Sequence, residues 1–152
     1  MRKIVGLVLS LSSCATTAPS VKKSNKCPPA GTEVSIAKVM NPAIIADYQG
    51  CEVVVEAMFI KVGHGDYSIG SYDASANVVF QAADERQAPR KDTTIGPAFG
   101  VFCGVSNDKS DVLSSLQPTE TIRMHGAPLA FYSGKKLISV VFQARSIERR
   151  AK

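Results

Sequence analysis

Between Cys51 and Val62 apolar residues recur at every second position. Val53, Val55, Ala57 and Phe59 fall on one face, and Glu52, Val54, Glu56 and Met58 on the other. That period belongs to a strand with one side against a core, and the β-branched run at 53–55 suits pleated backbone. Gly63-His64-Gly65-Asp66 then turns the chain. Asp66 to Tyr72 reads as a second strand, with Tyr67, Ile69 and Ser71 alternating against Ser68, Gly70 and Tyr72. Asp73 to Asn77 turns again, and Val78 to Ala83 is a third strand. Asp84 to Ala98 carries mixed charge, two prolines and no period, which makes it a long exposed loop. Phe99 to Val105 returns to strand character, with Gly100 and Gly104 placed to allow a bend or bulge. Thr121 to Ala127 is the fourth strand. Leu137 to Ile147 is the fifth, with Ile138, Val140, Phe142 and Ala144 alternating against Ser139, Val141, Gln143 and Arg145. The hairpin loop before it is Phe131–Lys136.

Helical character is confined to short pieces. Thr32 to Met40 has a partial apolar face in Val34, Ile36, Val39 and Met40, with Thr32 or Ser35 as a cap. Asn41-Pro42 interrupts it, because proline disfavours helix in the residue before it. Pro42 suits the first turn of a second helix, Pro42 to Asp47, which ends at Tyr48-Gln49-Gly50. Asn107 to Leu116 is a third, capped by Asp108 or Ser110, with Val112, Leu113 and Leu116 facing inward. Five strands with a short helix between the third and fourth follow the order of an OB-fold, a small Greek-key barrel. The expected class is all-β with short helices: a five-stranded OB-fold-like barrel preceded by a helical segment and a disordered tether.

Two stretches carry a resemblance of the same kind. Asn41-Pro42, followed by Tyr48-Gln49-Gly50-Cys51-Glu52-Val53-Val54-Val55-Glu56-Ala57, resembles the opening of bacterial exported OB-fold proteins. Those often read Asn-Pro, then Tyr-x-Gly-Lys-x-Val-x-Val-x-Gly; here Cys51 replaces the lysine and Ala57 the last glycine. Leu116 to Gly126 is similar to the family's Leu-x-x-Gly-Asp-x-Val-x-Val-x-Gly lead into strand four, and Pro118 and Thr119 depart from its Gly-Asp turn. The resemblance spans about Val34 to Glu148. It implies a fold and almost no function, because one fold hosts many.

The N-terminus reads as an address. Arg2 and Lys3 precede an apolar run, Ile4 to Leu11, and small residues follow at Ser12, Ser13 and Ala15. That is the order of a secretory signal, and the run is far shorter than the ~20 residues a membrane-spanning helix needs. Leu11-Ser12-Ser13-Cys14 resembles the lipobox of bacterial lipoproteins, in which the cysteine is acylated and becomes the mature N-terminus. The resemblance implies cleavage after residue 13 and a lipid on Cys14. Ala15 is not the aspartate that holds such proteins in the inner membrane, so the implied address is the periplasmic leaflet of the outer membrane. The chain then divides into a signal peptide 1–13, a small, polar tether 14–27, a domain 28–148 and a basic tail 149–152.

The formal charge of +5 invites a nucleic-acid reading, but its location argues against one. Eight of the 18 basic residues lie outside 28–148, whereas all 13 acidic residues lie inside it, so the domain carries 10 basic against 13 acidic residues, or −3. Besides Cys14, Cys27, Cys51 and Cys103 remain. An exported context permits disulfides, and three cysteines allow one internal bridge in any of three pairings. Cys103 sits in an apolar run and reads as core.

No catalytic or cofactor constellation emerges. His64 lies at a loop tip, and neither it nor His125 has the spacing of a zinc site. Cys103 with His125 makes a formal nucleophile–base pair, but no orienting group accompanies it. Tyr67 and Tyr72, on the second strand of the sheet that OB-folds use for ligands, and Lys135 and Lys136, in the loop before strand five, form a candidate ligand face. The leading expectation is a non-enzymatic, lipid-anchored module of the cell envelope that binds a protein or small envelope ligand. An oligosaccharide- or nucleic-acid-binding domain and a structural spacer are the alternatives.

Overall fold

The computed structural model describes residues 23–63, 69–84 and 100–150. The expected signal segment, Cys14, His64 and Tyr67 lie outside these, as does most of the expected loop after Asp84. The elements in order are β1 (Thr32–Glu33), α1 (Ile36–Val39), α2 (Ile45–Tyr48), β2 (Val53–Val62) and β3 (Asn77–Ala83). They continue as β4 (Val101–Ser106), a 3-10 turn (Asn107–Lys109), α3 (Asp111–Ser114), β5 (Thr121–Ser133) and β6 (Lys136–Arg149).

Five strands close a ring in the order β2-β3-β4-β6-β5 and back to β2. Every contact is antiparallel except β4–β6, which is parallel from Phe102↔Val141 to Val105↔Ala144. The fold is an all-β OB-fold-like Greek-key barrel, with α3 between the third and fourth strands of the ring. β2 meets β5 along its first half, Val53↔Gly126 to Met58↔Thr121, and β3 along its second, Met58↔Ala83 to Val62↔Phe80. That stagger is the shear a closed barrel requires.

The alternation in β2 points as expected. Val53, Val55, Ala57 and Phe59 are buried inside the barrel with Phe80, Ala82, Cys103, Val105, Ile122, Met124, Phe142 and Ala144. Phe59 and Phe80 pack with ring centroids 6.2 Å apart. Ile36 and Val39 of α1 join this core, as do Leu113 and Leu116 around α3.

Several boundaries differ from the sequence reading. Of the strand expected up to Tyr72, the described residues 69–72 are not strand: Gly70 and Ser71 form a turn, Gly70 with φ +65°, and the ring takes its second strand from Asn77–Ala83. Thr32 and Glu33 are not helical. They bridge β2 in parallel at Val53 and Val54, and α1 is one turn long. Ser35 precedes α1 without capping it; its hydroxyl donates to Asp84 Oδ2 at 3.0 Å. Lastly, β5 runs through Pro128 to Ser133. Proline is tolerated there because the β2 ladder ends at Gly126, leaving that edge without an N–H to supply. The Pro128 carbonyl accepts the Gly50 N–H at 2.9 Å. β6 likewise continues through Arg149, so the start of the expected basic tail is strand.

Cys27 and Cys51 form the disulfide, across a sequence separation of 24, and Cys103 is free and buried. In the loop-entropy account a bridge of this span is worth roughly 3–4 kcal/mol. It holds Lys23–Cys27 against the end of α2, where the Ser24 N–H donates to the Gln49 carbonyl at 3.0 Å and Lys26 pairs with Asp47 at 3.0 Å.

Two glycines are fixed by close approach. A Cβ on Gly126 would stand 2.0 Å from the Gln143 carbonyl, at a bulge where β6 carries one residue more than β5. A Cβ on Gly104 would stand 1.7 Å from the Tyr72 hydroxyl. So Gly104 admits a side chain rather than bending the strand. Conversely, Thr119 holds φ +73°, a left-handed conformation that a β-branched residue adopts at a cost of order 1 kcal/mol or more. Its N–H donates to Phe59 O at 2.8 Å, which keeps it there.

Two stability changes follow. Val55→Asp places an unpaired carboxylate in the barrel interior and should cost more than about 4 kcal/mol, abolishing the cooperative thermal transition seen by circular dichroism. Thr119→Gly should stabilise by about 1 kcal/mol in denaturant titrations, because the turn is kept and its strain removed. An unchanged midpoint would show that Thr119 is unstrained.

Candidate functional site

Three surfaces of the barrel differ in chemistry. The first is the outer side of β3, β4 and β6, where an OB-fold most often meets its ligand. Here it is covered by the chain itself. Ile69 and Tyr72 pack with Val79 and Val141 in a second apolar cluster, joined by Phe102, Leu129 and Phe131. Tyr72 is 8% exposed and meets the Phe131 ring edge-on at 6.0 Å. Its hydroxyl donates to Gln143 Oε1, and Gln143 Nε2 donates to Asn77 Oδ1 at 3.2 Å. Asn77 Nδ2 donates to the Asp73 carbonyl at 2.8 Å. Asp73 closes the turn by accepting the Ser75 and Ala76 N–H groups at 3.0 and 3.3 Å, and these bonds with the Ser75 hydroxyl hold its carboxyl below the usual carboxylate range. Burial pushes the Tyr72 phenol well above its ordinary value, so it stays a neutral donor. Tyr72 is therefore a packed part of the fold, not an open stacking ring.

The second surface, the outer side of β2, β5 and β6, is laced with ion pairs. Arg123 meets Glu33 at 3.3 Å, Arg145 meets Glu52 at 2.8 Å and Arg149 meets Glu120 at 3.4 Å. Arg150 pairs with Glu56, and His125 Nε2 lies 4.0 Å from Glu148 Oε1. All four described arginines are thus matched by carboxylates. Exposed pairs contribute little to stability, about 0–1 kcal/mol each. Their consequence is that this surface presents no single sign of charge to a polyanion. His125 belongs to it, whereas Cys103 lies inside the barrel with its thiol pushed up by burial, so the wall of the barrel separates the two. Among the described residues no group of three or more His, Cys, Asp or Glu side chains is placed to hold a metal.

The third surface is the far end of the β5–β6 hairpin. Residues 127–133 run on past the first residue of β2, and Lys135 and Lys136 are exposed at the Gly134 turn. Tyr132 is 48% and Ile138 45% exposed. Ile138 is turned out because the β5–β6 register skips it: Phe131 pairs with Ser139 and Tyr132 with Leu137. Alternation alone puts Ile138 with the core residues Phe142 and Ala144, so the sequence reading missed it. Beside the hairpin lies an open, mostly apolar groove lined by Met40, Pro42, Phe102, Leu137, Val140 and Ile138 itself. Of the candidate ligand face, then, Tyr72 and the two lysines are on different surfaces, and Tyr67 lies outside the described residues.

No protein-family model matches the chain, and no curated protein is significantly similar to it. Among solved structures, a putative aspartyl-tRNA synthetase from Leishmania major Friedlin overlays 93% of this chain at a TM-score of 0.48 and 8% identity. The matched part is 22% of that chain. OBody AM2EP06 and OBody AM3L09, each bound to hen egg-white lysozyme, overlay 68% and 66% of the chain at a TM-score of 0.42 and 16% identity, covering 82% of their own chains.

The raised phenol sets a pH dependence. Above the ordinary tyrosine value near 10 the unfolded chain loses the Tyr72 proton while the fold retains it. The unfolded state then binds fewer protons, and stability falls as pH rises. Chemical denaturation should show full stability below pH 10 and a decline above it. Tyr72→Phe should remove part of that decline. An identical alkaline profile in the variant would place the ring in solvent.

Proposed function

We propose that this protein is a lipid-anchored OB-fold module of the cell envelope, held by an acylated Cys14 at the periplasmic face of the outer membrane. It acts without catalysis or cofactor, by binding a protein or small envelope ligand. The observation that carries the reading is Leu11-Ser12-Ser13-Cys14 behind a charged and then apolar start. The Cys27–Cys51 bridge supports it, since disulfides persist in oxidising compartments. The burial of Cys103 and the outward, carboxylate-paired position of His125 support the non-catalytic part. The matched charges of the outer β2-β5-β6 surface disfavour a nucleic-acid partner, and the burial of Tyr72 weakens an oligosaccharide platform.

Intact mass of the full chain purified from bacterial membranes tests the anchor. The expected species is residues 14–152 plus acyl chains, lost in Cys14→Ala. A soluble, unacylated product would overturn the anchored reading and make this a free carrier.

A further inference from the structure

We infer that the tip of the β5–β6 hairpin is a membrane-contact element, which seats the barrel on an anionic lipid surface. The inference deepens the anchored reading proposed above and rests on it.

Three observations meet at this tip. The first is composition. Tyr132 and Ile138 are two of the three large apolar side chains that are strongly exposed among the described residues. A tyrosine ring with an apolar body and a polar end suits the headgroup level of a bilayer, and an aliphatic neighbour suits the region just below it. The second is charge. Lys135 and Lys136 are exposed between them, and neither pairs with a carboxylate among the described residues. The four arginines of the outer wall are all matched instead. Unmatched cations beside exposed apolar groups favour an anionic lipid surface, where each charge contributes about 1 kcal/mol.

The third is direction. The chain leads into the barrel at Lys23, whose backbone lies 3.3 Å from the place a Gly50 Cβ would take. The Gly50 N–H donates to Pro128 in the root of the same hairpin. β5 continues from Pro128 past the start of β2, so the hairpin projects at the end of the barrel from which the N-terminal segment departs. The disulfide fixes that departure point. A lipid on Cys14, nine residues before Lys23, would draw this end of the barrel toward the bilayer.

The chain contains no tryptophan, which makes Tyr132→Trp a lone reporter. The experiment reconstitutes the full chain in phosphatidylcholine vesicles containing phosphatidylglycerol, with and without brominated acyl chains. Its acylation is read by mass and its fold by circular dichroism. The expected result is a blue-shifted emission quenched by the brominated lipid. Val62→Trp serves as the comparison: it is exposed at the other end of β2, roughly 30 Å from Val53 along the strand, and should stay unquenched. Lys135→Glu with Lys136→Glu should lower the quenching roughly tenfold or more. An acylated Tyr132→Trp protein whose emission matches that of a water-exposed indole overturns the hairpin inference and leaves the anchor standing. Equal quenching at positions 62 and 132 also overturns it, because the barrel would then lie unoriented. An unacylated protein that still shows selective quenching at position 132 sinks the anchor and supports the hairpin. If it shows none, both are wrong.

Discussion

Everything in this barrel depends on the way β2 is shared. One edge of its first half pairs with β5, and the opposite edge of its second half pairs with β3. Only a strand long enough for both, ten residues here, joins the two sides of the ring at the required stagger. The parallel β4–β6 contact then closes the other side. The interior that results is narrow, which is why the inward residues of β2 include the small Ala57 as well as Phe59. α1 and α3 are single turns. Helices of that length have no stability of their own, so they exist because their apolar residues complete the barrel's core.

The strands were legible where one face is buried and the other is polar. β2 is the clear case, and the inward pattern of Phe142 and Ala144 is another. Legibility failed where tertiary contact outweighed local pattern. Ile69 and Tyr72 are as apolar as strand residues, but they are buried by folding over the barrel's outer wall, not by pairing within it. Gly104 is the counterpart of that placement and is uninterpretable without it. A single glycine in a strand signals close approach, but nothing local names the side chain that approaches. The length of β5 was hidden by Pro128. A proline ends a strand that has neighbours on both edges, and sequence alone does not say that the second neighbour stops two residues earlier.

The candidate site was legible in part. The exposure of Lys135 and Lys136 follows from a glycine turn between strands. That of Ile138 does not, because it comes from a register shift that moves the residue out of the alternation. Covering of the usual ligand wall was not readable either. Its signal would have been the turn chemistry around Asp73, where a carboxylate gathers the N–H groups of Ser75 and Ala76 just before β3 begins.

These differences among surfaces bear on what the barrel can do. A wall covered by its own chain and tied by Tyr72, Gln143 and Asn77 would have to release a packed cluster to admit a ligand. The ion-paired wall would have to give up matched charges for each new contact. The hairpin end requires neither, since its apolar groups and its lysines already face solvent. Binding there removes apolar area from water without breaking an existing contact. The physical asymmetry therefore favours the hairpin end, which is also the end where the chain enters the barrel at Lys23.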